Sequence, residues 1–266
     1  MNKPAANRHP DAKIGSNVTI EPFATIGQDV EIGDGTWVGP TAVILDGARI
    51  GKNCRIFPGA IVSAIPQDLK YEGEKSLLKI GDNCTIREFC TVNRGTKATG
   101  KTVLGNNTLL MAYVHVAHDC VIGNHCVLVN GATLGGEVYV DDWAIISAQT
   151  IVHQFCSVGK HVMISGGSKM GRDVPPYVTA AREPLSYYGV NSIGLGRRNF
   201  AKEKIAEIQD IYRVIFQKGL NTSNAVEQVA GDFPDSEEKT EILTFIKNSR
   251  RGLIKGYTGN DQVDIG

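Results

Sequence analysis

The densest group of side chains able to do chemistry is the run YVHVAHDC, Tyr113 to Cys120, which sets His115 and His118 three residues apart with Asp119 beside the second. A neutral imidazole is a base suited to neutral pH, and an adjacent carboxylate can hold its tautomer. Strict alternation along an extended chain would nevertheless turn Asp119 away from His118. Eighteen residues beyond His118 is Gly136, and eighteen further is Gln154. In a chain that coils with that period the three stand one above another. A backbone N–H with no side chain then lies one inter-strand step, about 4.8 Å, from the imidazole. A general base beside an oxyanion donor is the pair needed for acyl transfer to a hydroxyl. Two solvated corner histidines are the plainer alternative, and the spacing argues against it.

The elements that must position this group are written as a period of six. From Ile14 through Ile20, Ile26, Ile32, Val38, Ile44, Ile50, Ile56 and Val62, and from Leu104 without a gap to Ile164, every sixth residue is Ile, Leu or Val. Two residues before each stands a small side chain, such as Ala12, Val18, Ala24, Cys54 or Thr102. Residues two apart on a strand face the same way, so each hexad sends one small and one branched side chain inward. Gly often follows the branched residue, as at Gly15, Gly33, Gly105 and Gly123, which suits a tight corner. Three hexads close a triangular coil, and stacked coils give a mainly β solenoid with a dry, prism-shaped core.

The lattice breaks near 63–79 and 93–103, where charged, Gly-containing segments read as loops projecting from the prism. After about residue 190 the period becomes helical. Ile205, Ile208, Tyr212, Ile215 and Phe216 share one face, with Gly219 as the stop. A second helix is expected near Ser223 to Val229, and a third after Asp235, which makes a D-x-x-E capping box with Glu238. The chain thus divides into a prism over 1–189 and an α-helical domain over 190–266.

All six cysteines, Cys54, Cys84, Cys90, Cys120, Cys126 and Cys156, fall on the small inward position and read as core. Free buried thiols and an N-terminus without an apolar stretch point to a reducing, cytoplasmic setting. No window approaches the roughly 18 apolar residues of a membrane span. With 28 basic and 28 acidic residues the chain has no net field, which argues against a nucleic-acid role. Local clusters, Lys169 with Arg172 or Arg197 with Arg198, still offer positive patches to an acidic protein partner.

The hexapeptide lattice, QDLKYEGE (Gln67 to Glu74), HVAHDC, IVHQFCSVGKHVM (Ile151 to Met163), DVPPYV (Asp173 to Val178), GVN followed by Arg197 and Arg198, and the late RGLIK together resemble the UDP-N-acetylglucosamine acyltransferase family. The resemblance covers essentially the whole chain and implies a left-handed parallel β-helix, a homotrimer with active sites between subunits, and the first step of lipid A biosynthesis. It implies transfer of a 3-hydroxyacyl chain from acyl carrier protein to the sugar 3-hydroxyl, with no cofactor and no metal. His118 would be the general base, Asp119 its partner and the Gly136 amide the oxyanion donor. Asp68, Lys70, His115 and Gln154 match sugar-site and phosphate-site positions; His153, Asn191, Arg197 and Arg198 match the nucleotide side. Gly166, with Met163 nearby, matches the position that limits acyl length, and a Gly there leaves room for a long chain. Three positions depart from the family pattern: Glu137 and Asn93 stand in place of histidines and Ile193 in place of an acidic residue. Glu137 could bind a sugar hydroxyl, or an amine if the acceptor is a 3-amino sugar, in which case the product is an amide.

Hexapeptide prisms also carry zinc hydratases, but those need an H-x4-H pair, and none exists here. A catalytically silent structural subunit and an acetyl-CoA-dependent acetyltransferase are the other rivals; the retained HVAHDC and QDLKY motifs argue against the first. Among the remaining histidines, His9 reads as preceding the repeat, His125 as an ordinary corner residue, and His161 as a neighbour of the donor side.

Overall fold

The computed structural model describes residues 5–256; residues 1–4 and 257–266, which the sequence-based domain limits include, lie outside the described residues. Short strands, mostly two residues long, stack into three sheets of nine, eight and eleven strands, parallel throughout except where Val178–Ala181 pairs antiparallel with Ser186–Val190 at the end of the third. Up to Met163–Ile164 each strand pairs with the one three strands on, as a triangular coil demands: His115 lies against Thr133, and Thr133 against Ile151. The faces are named here for an outward residue of each, the His115 face (nine strands), the Tyr139 face (eight) and the Met163 face (eleven). The prism is a left-handed parallel β-helix, the fold class expected from the sequence.

The inward pairs fill the core. Ile20, Ile44, Ile56, Leu110, Leu128 and Leu134 are fully buried, and all six cysteines are buried and free. Burial of a branched side chain contributes roughly 1.5–3 kcal/mol, so this lattice supplies the main driving force for folding. The glycine after the branched residue has a different reason from the one read in the sequence. A Cβ on Gly33 would sit 2.6 Å from the Gly51 carbonyl carbon of the next coil, so the constraint is close approach between coils. The left-handed backbone lies two residues later, at Asn17, Asn53, Asn107 and His125.

The excursions are shorter than expected, because strands continue into both breaks at Ile61–Ala64, Leu77–Ile80, Thr91–Asn93 and Lys101–Leu104. Ile61 pairs with Thr91, thirty residues on, and Thr91 with His115, twenty-four on. The loops therefore add twelve and six residues to a coil, both multiples of the hexad, which is why register survives them. His9 does not precede the repeat: Asn7–Arg8 already pairs with Thr25–Ile26, and the His9 amide donates to Ile26.

Four helices follow: α1 (Ser192–Arg197), α2 (Lys202–Gln217), α3 (Thr222–Asp232) and α4 (Glu237–Asn248). Helix α2 buries Ile208, Ile211, Tyr212, Val214 and Ile215, and Gly219 takes φ +70° beyond its end. The cap of α4 is Ser236 and not Asp235: its hydroxyl accepts from the Lys239 amide, while Asp235 pairs with the Lys239 ammonium. Tyr212 donates to the Pro176 carbonyl at 2.5 Å, and Glu241 of α4 receives both Tyr177 Oη and, at 2.9 Å, Lys160 Nζ, which fixes the helices to the end of the prism.

Candidate active site

His118, Gly136 and Gln154 occupy one edge, between the His115 and Tyr139 faces, on three successive coils. The Glu137 amide donates to the His118 carbonyl at 3.0 Å, and the Phe155 amide to the Gly136 carbonyl at 3.1 Å. A Cβ built on Gly136 would lie 2.6 Å from His118 Cε1 and 2.7 Å from Nε2, so the imidazole rests on the bare glycine. Among the described residues the amides of His118, Gly136 and Gln154 donate to no protein acceptor. Of the three, only Gly136 carries no side chain of its own, and it is buried beneath the His118 ring.

Asp119 faces the base. Its backbone takes φ +60°, which breaks strand alternation and swings the carboxylate back so that Oδ2 is 2.8 Å from His118 Nδ1. The carboxylate is fully buried while the imidazole keeps 16% of its exposure. Thr96 of the second excursion donates to it from its amide at 3.1 Å and its hydroxyl at 2.6 Å, and Thr99 adds its own hydroxyl. Burial pushes the Asp119 carboxyl up, but the bonds from Thr96, Thr99 and His118 outweigh it and hold the group below the usual carboxylate range. An ionised acceptor at Nδ1 places the proton there and leaves Nε2 as the free base. Thr96 and Thr99 carry no signal in the sequence reading; a Thr pair in the break nearest HVAHDC was the available clue.

Both excursions leave this same edge. Arg94 Nη2 donates to the Tyr71 hydroxyl at 2.9 Å, and the Lys97 amide to Glu74 at 2.9 Å, tying one loop to the other. Asn93 is buried and donates to the Ile65 carbonyl at 2.8 Å, so it braces the root of the first loop. Asp68 and Lys70 lie on that loop, where Asp68 accepts from the Lys70 amide. His115, one strand before the corner, meets Thr91 Oγ1 through Nδ1 at 2.7 Å, and burial pulls its basicity below the ordinary imidazole value. His153 is exposed beside Gln154, and Glu137 is half-buried, its carboxylate in no hydrogen bond or ion pair among the described residues.

The remaining sequence candidates sit elsewhere on the prism. Asn191 caps α1 and donates to the His161 carbonyl at 2.9 Å, while Arg198 donates to the Trp143 carbonyl at 3.0 Å and stacks over its ring. Those partners line the edge between the Tyr139 and Met163 faces. There His125, Trp143, His161 and Tyr177 form a column of parallel rings with centroids 4.0, 6.2 and 5.7 Å apart. Arg197 is exposed at the end of α1. Met163 projects from the third face between Ile145 and Thr179, and Gly166 lies at the corner beyond it, 3.2 Å from Ala148 O by its built Cβ. One chain therefore brings together His118, Asp119, Gly136 and both loops, but not Asn191, Arg197, Arg198, Met163 or Gly166.

A hexad-built prism with this edge belongs with the hexapeptide-repeat transferases, and residues 29–64 and 101–136 match the family profile "Bacterial transferase hexapeptide (six repeats)". Residues 173–254 match "Udp N-acetylglucosamine O-acyltransferase; Domain 2". An acyl-[acyl-carrier-protein]–UDP-N-acetylglucosamine O-acyltransferase of Chlorobium phaeobacteroides is 63% identical over 195 residues, 73% of this chain and 74% of that one. The Sulfurihydrogenibium protein of the same name is 55% identical over 91% of this chain and 90% of its own. A crystal structure of a UDP-N-acetylglucosamine acyltransferase from Bacteroides fragilis superposes with TM-score 0.95 at 53% identity, covering 96% of this chain and 100% of that one. The chain belongs to the UDP-N-acetylglucosamine O-acyltransferase family.

No helix among the described residues is long and apolar enough to cross a membrane. No three His, Cys, Asp or Glu side chains among them converge as a metal ligand set.

Proposed function

We propose that this chain transfers a 3-hydroxyacyl group from acyl carrier protein to the 3-hydroxyl of UDP-N-acetylglucosamine, at a cytoplasmic site and without a cofactor. The observation that carries the reading is His118, held by Asp119 on one side and packed on the other against Gly136, whose amide donates to no protein acceptor among the described residues. The sugar hydroxyl gives its proton to Nε2 as its oxygen attacks the thioester carbonyl. The resulting oxyanion accepts from the Gly136 N–H, and the ionised Asp119 stabilises the imidazolium. Collapse breaks the carbon–sulfur bond, and the departing thiolate takes the proton back from His118.

The site is completed by a second subunit in a homotrimer. Asn191, Arg197, Arg198, Met163 and Gly166 lie away from the His118 edge within one chain, so a nucleotide and an acyl tail can meet them only across an interface. Exposed apolar residues gather round that edge, with Ile65 at 59%, Leu69 at 106% and Ile151 at 54% of full exposure, as on a surface that a partner covers.

A second reading, amide formation on a 3-amino sugar, is favoured by one feature. The unpartnered Glu137 carboxylate beside Gly136 suits an ammonium. Incubation with 3-hydroxyacyl carrier protein and either UDP-N-acetylglucosamine or its 3-amino analogue decides between them. A hydroxylamine-labile adduct on the ordinary sugar, lost in His118→Ala, supports the ester. A stable adduct formed only on the amino analogue supports the amide, and no adduct with either refutes both.

A further inference from the structure

The His118 edge continues past Gln154. Lys169 pairs with Ile151 on the last coil of the His115 face, and the His153 amide donates to the Met170 carbonyl at 2.8 Å. Arg172 follows at the corner, one coil beyond Gln154 and three beyond His118. The corner is shortened there, since Val174 bridges Val158 at sixteen residues instead of eighteen. Asp173 then ties in the returning C-terminal segment: it accepts from the Ser157 amide at 2.7 Å, the Ser249 hydroxyl at 2.6 Å and the Arg251 amide at 3.2 Å. That seam brings Arg251 against the Gly171 carbonyl and Arg172 within 3.1 Å of a Cβ built on Gly252. Lys169, Arg172, Arg250 and Arg251 are all exposed, and none pairs with a carboxylate among the described residues. Asp173, the acid at this seam, is fully buried. In a chain of 28 positive and 28 negative groups this is a local concentration of unneutralised positive charge.

We propose that Lys169, Arg172, Arg250 and Arg251 form the docking surface for the acidic face of the carrier protein, with Arg172 meeting the phosphodiester that joins that protein to its pantetheine arm. The inference rests on the acyl-transfer reading above. Three coils at about 4.8 Å place Arg172 roughly 14 Å along the edge from His118, a span that an extended pantetheine arm covers when its thioester lies at Nε2. The acceptor's diphosphate is a worse fit, because it is attached one sugar ring from the hydroxyl that must reach His118 and cannot lie three coils away. Arg and Lys together provide a fork for the phosphate and point charges for carboxylates.

The test is a steady-state comparison of the full-length protein with the double variant Lys169→Glu, Arg172→Glu and the single variant Lys169→Glu, with Lys79→Glu on the Tyr139 face as the control that matches the charge change of the single variant. The double variant is expected to raise KM for 3-hydroxyacyl carrier protein about tenfold or more and to flatten its salt dependence, while KM for the UDP-sugar holds and Lys79→Glu changes neither. If the double variant melts early, the single exposed change Lys169→Glu carries the test, with a smaller rise expected in the same KM. A rise confined to the UDP-sugar KM would reassign the cations to the diphosphate and overturn the proposal, as would no change in either KM. A wild-type protein that turns over no acyl carrier protein at all would defeat the activity itself, which distinguishes the two failures.

Discussion

The hydroxyl of Thr96 donates to the Asp119 carboxylate at 2.6 Å across twenty-three residues of sequence. An excursion between coils thus reaches His118, the proposed base, through the carboxylate that orients it. Thr96 is a positioning residue. Thr96→Val, which keeps the shape and removes the donor, is expected to lower kcat about 10- to 100-fold with little change in either KM, since a buried charged group loses a hydrogen bond worth about 1.5–3 kcal/mol. Thr96→Ser should restore most of the loss.

Gly136→Ala tests the packing of the His118 imidazole on Gly136. The new methyl would meet the imidazole at 2.6–2.7 Å, and the ring is the group free to give way. Gly136 is not among the residues with positive φ, so the backbone tolerates alanine. Steady-state assays should show kcat down by about 10² or more, while the melting temperature stays close to that of the parent.

How much of this was legible follows from what repeats. The His118, Gly136 and Gln154 column could be counted out, because a coil of fixed length carries any residue onto the next level. The orientation of Asp119 could not, because a single left-handed residue at the corner reverses what alternation dictates. Thr96 and Thr99 lie in a segment with no period. The start of α4 was misplaced by one residue because Asp235 and Ser236 are both good caps, and only the fold shows that Asp235 is engaged with Lys239.

His161 gives a pH prediction. Burial first, and then Arg198 and Lys160, pull its pKa down to about 4, against smaller opposing effects of Glu241 and Asp142. A histidine kept neutral in the folded state stabilises fully above its unfolded value near 6.5 and loses that contribution as pH falls toward 4. Denaturant titrations followed by Trp143 fluorescence should show about 2 kcal/mol less stability at pH 5 than at pH 7.5 from this group. His161→Phe should remove that part of the slope.

Lys239 is a buried cation that closes α3. Its ammonium donates to the Ala230 carbonyl at 2.9 Å and the Phe233 carbonyl at 2.7 Å, capping the helix's last turn from the next helix. Lys239→Met fills the same space and leaves both carbonyls without that donor, at an expected cost of about 1–3 kcal/mol. Calorimetry should show the loss; unchanged melting would mean that water replaces the ammonium.

The sealed thiols have a consequence for an enzyme that handles activated acyl groups. A thioester exchanges readily with any accessible thiolate, so a protein that receives one risks acylating itself. Burial pushes Cys120, the immediate neighbour of Asp119, and Cys126 up to about 12, and Cys90 and Cys156 to about 11. The packing that closes the prism therefore also protects the cargo, because all six cysteines are buried and none meets the donor at that edge to compete with the hydroxyl brought by the acceptor.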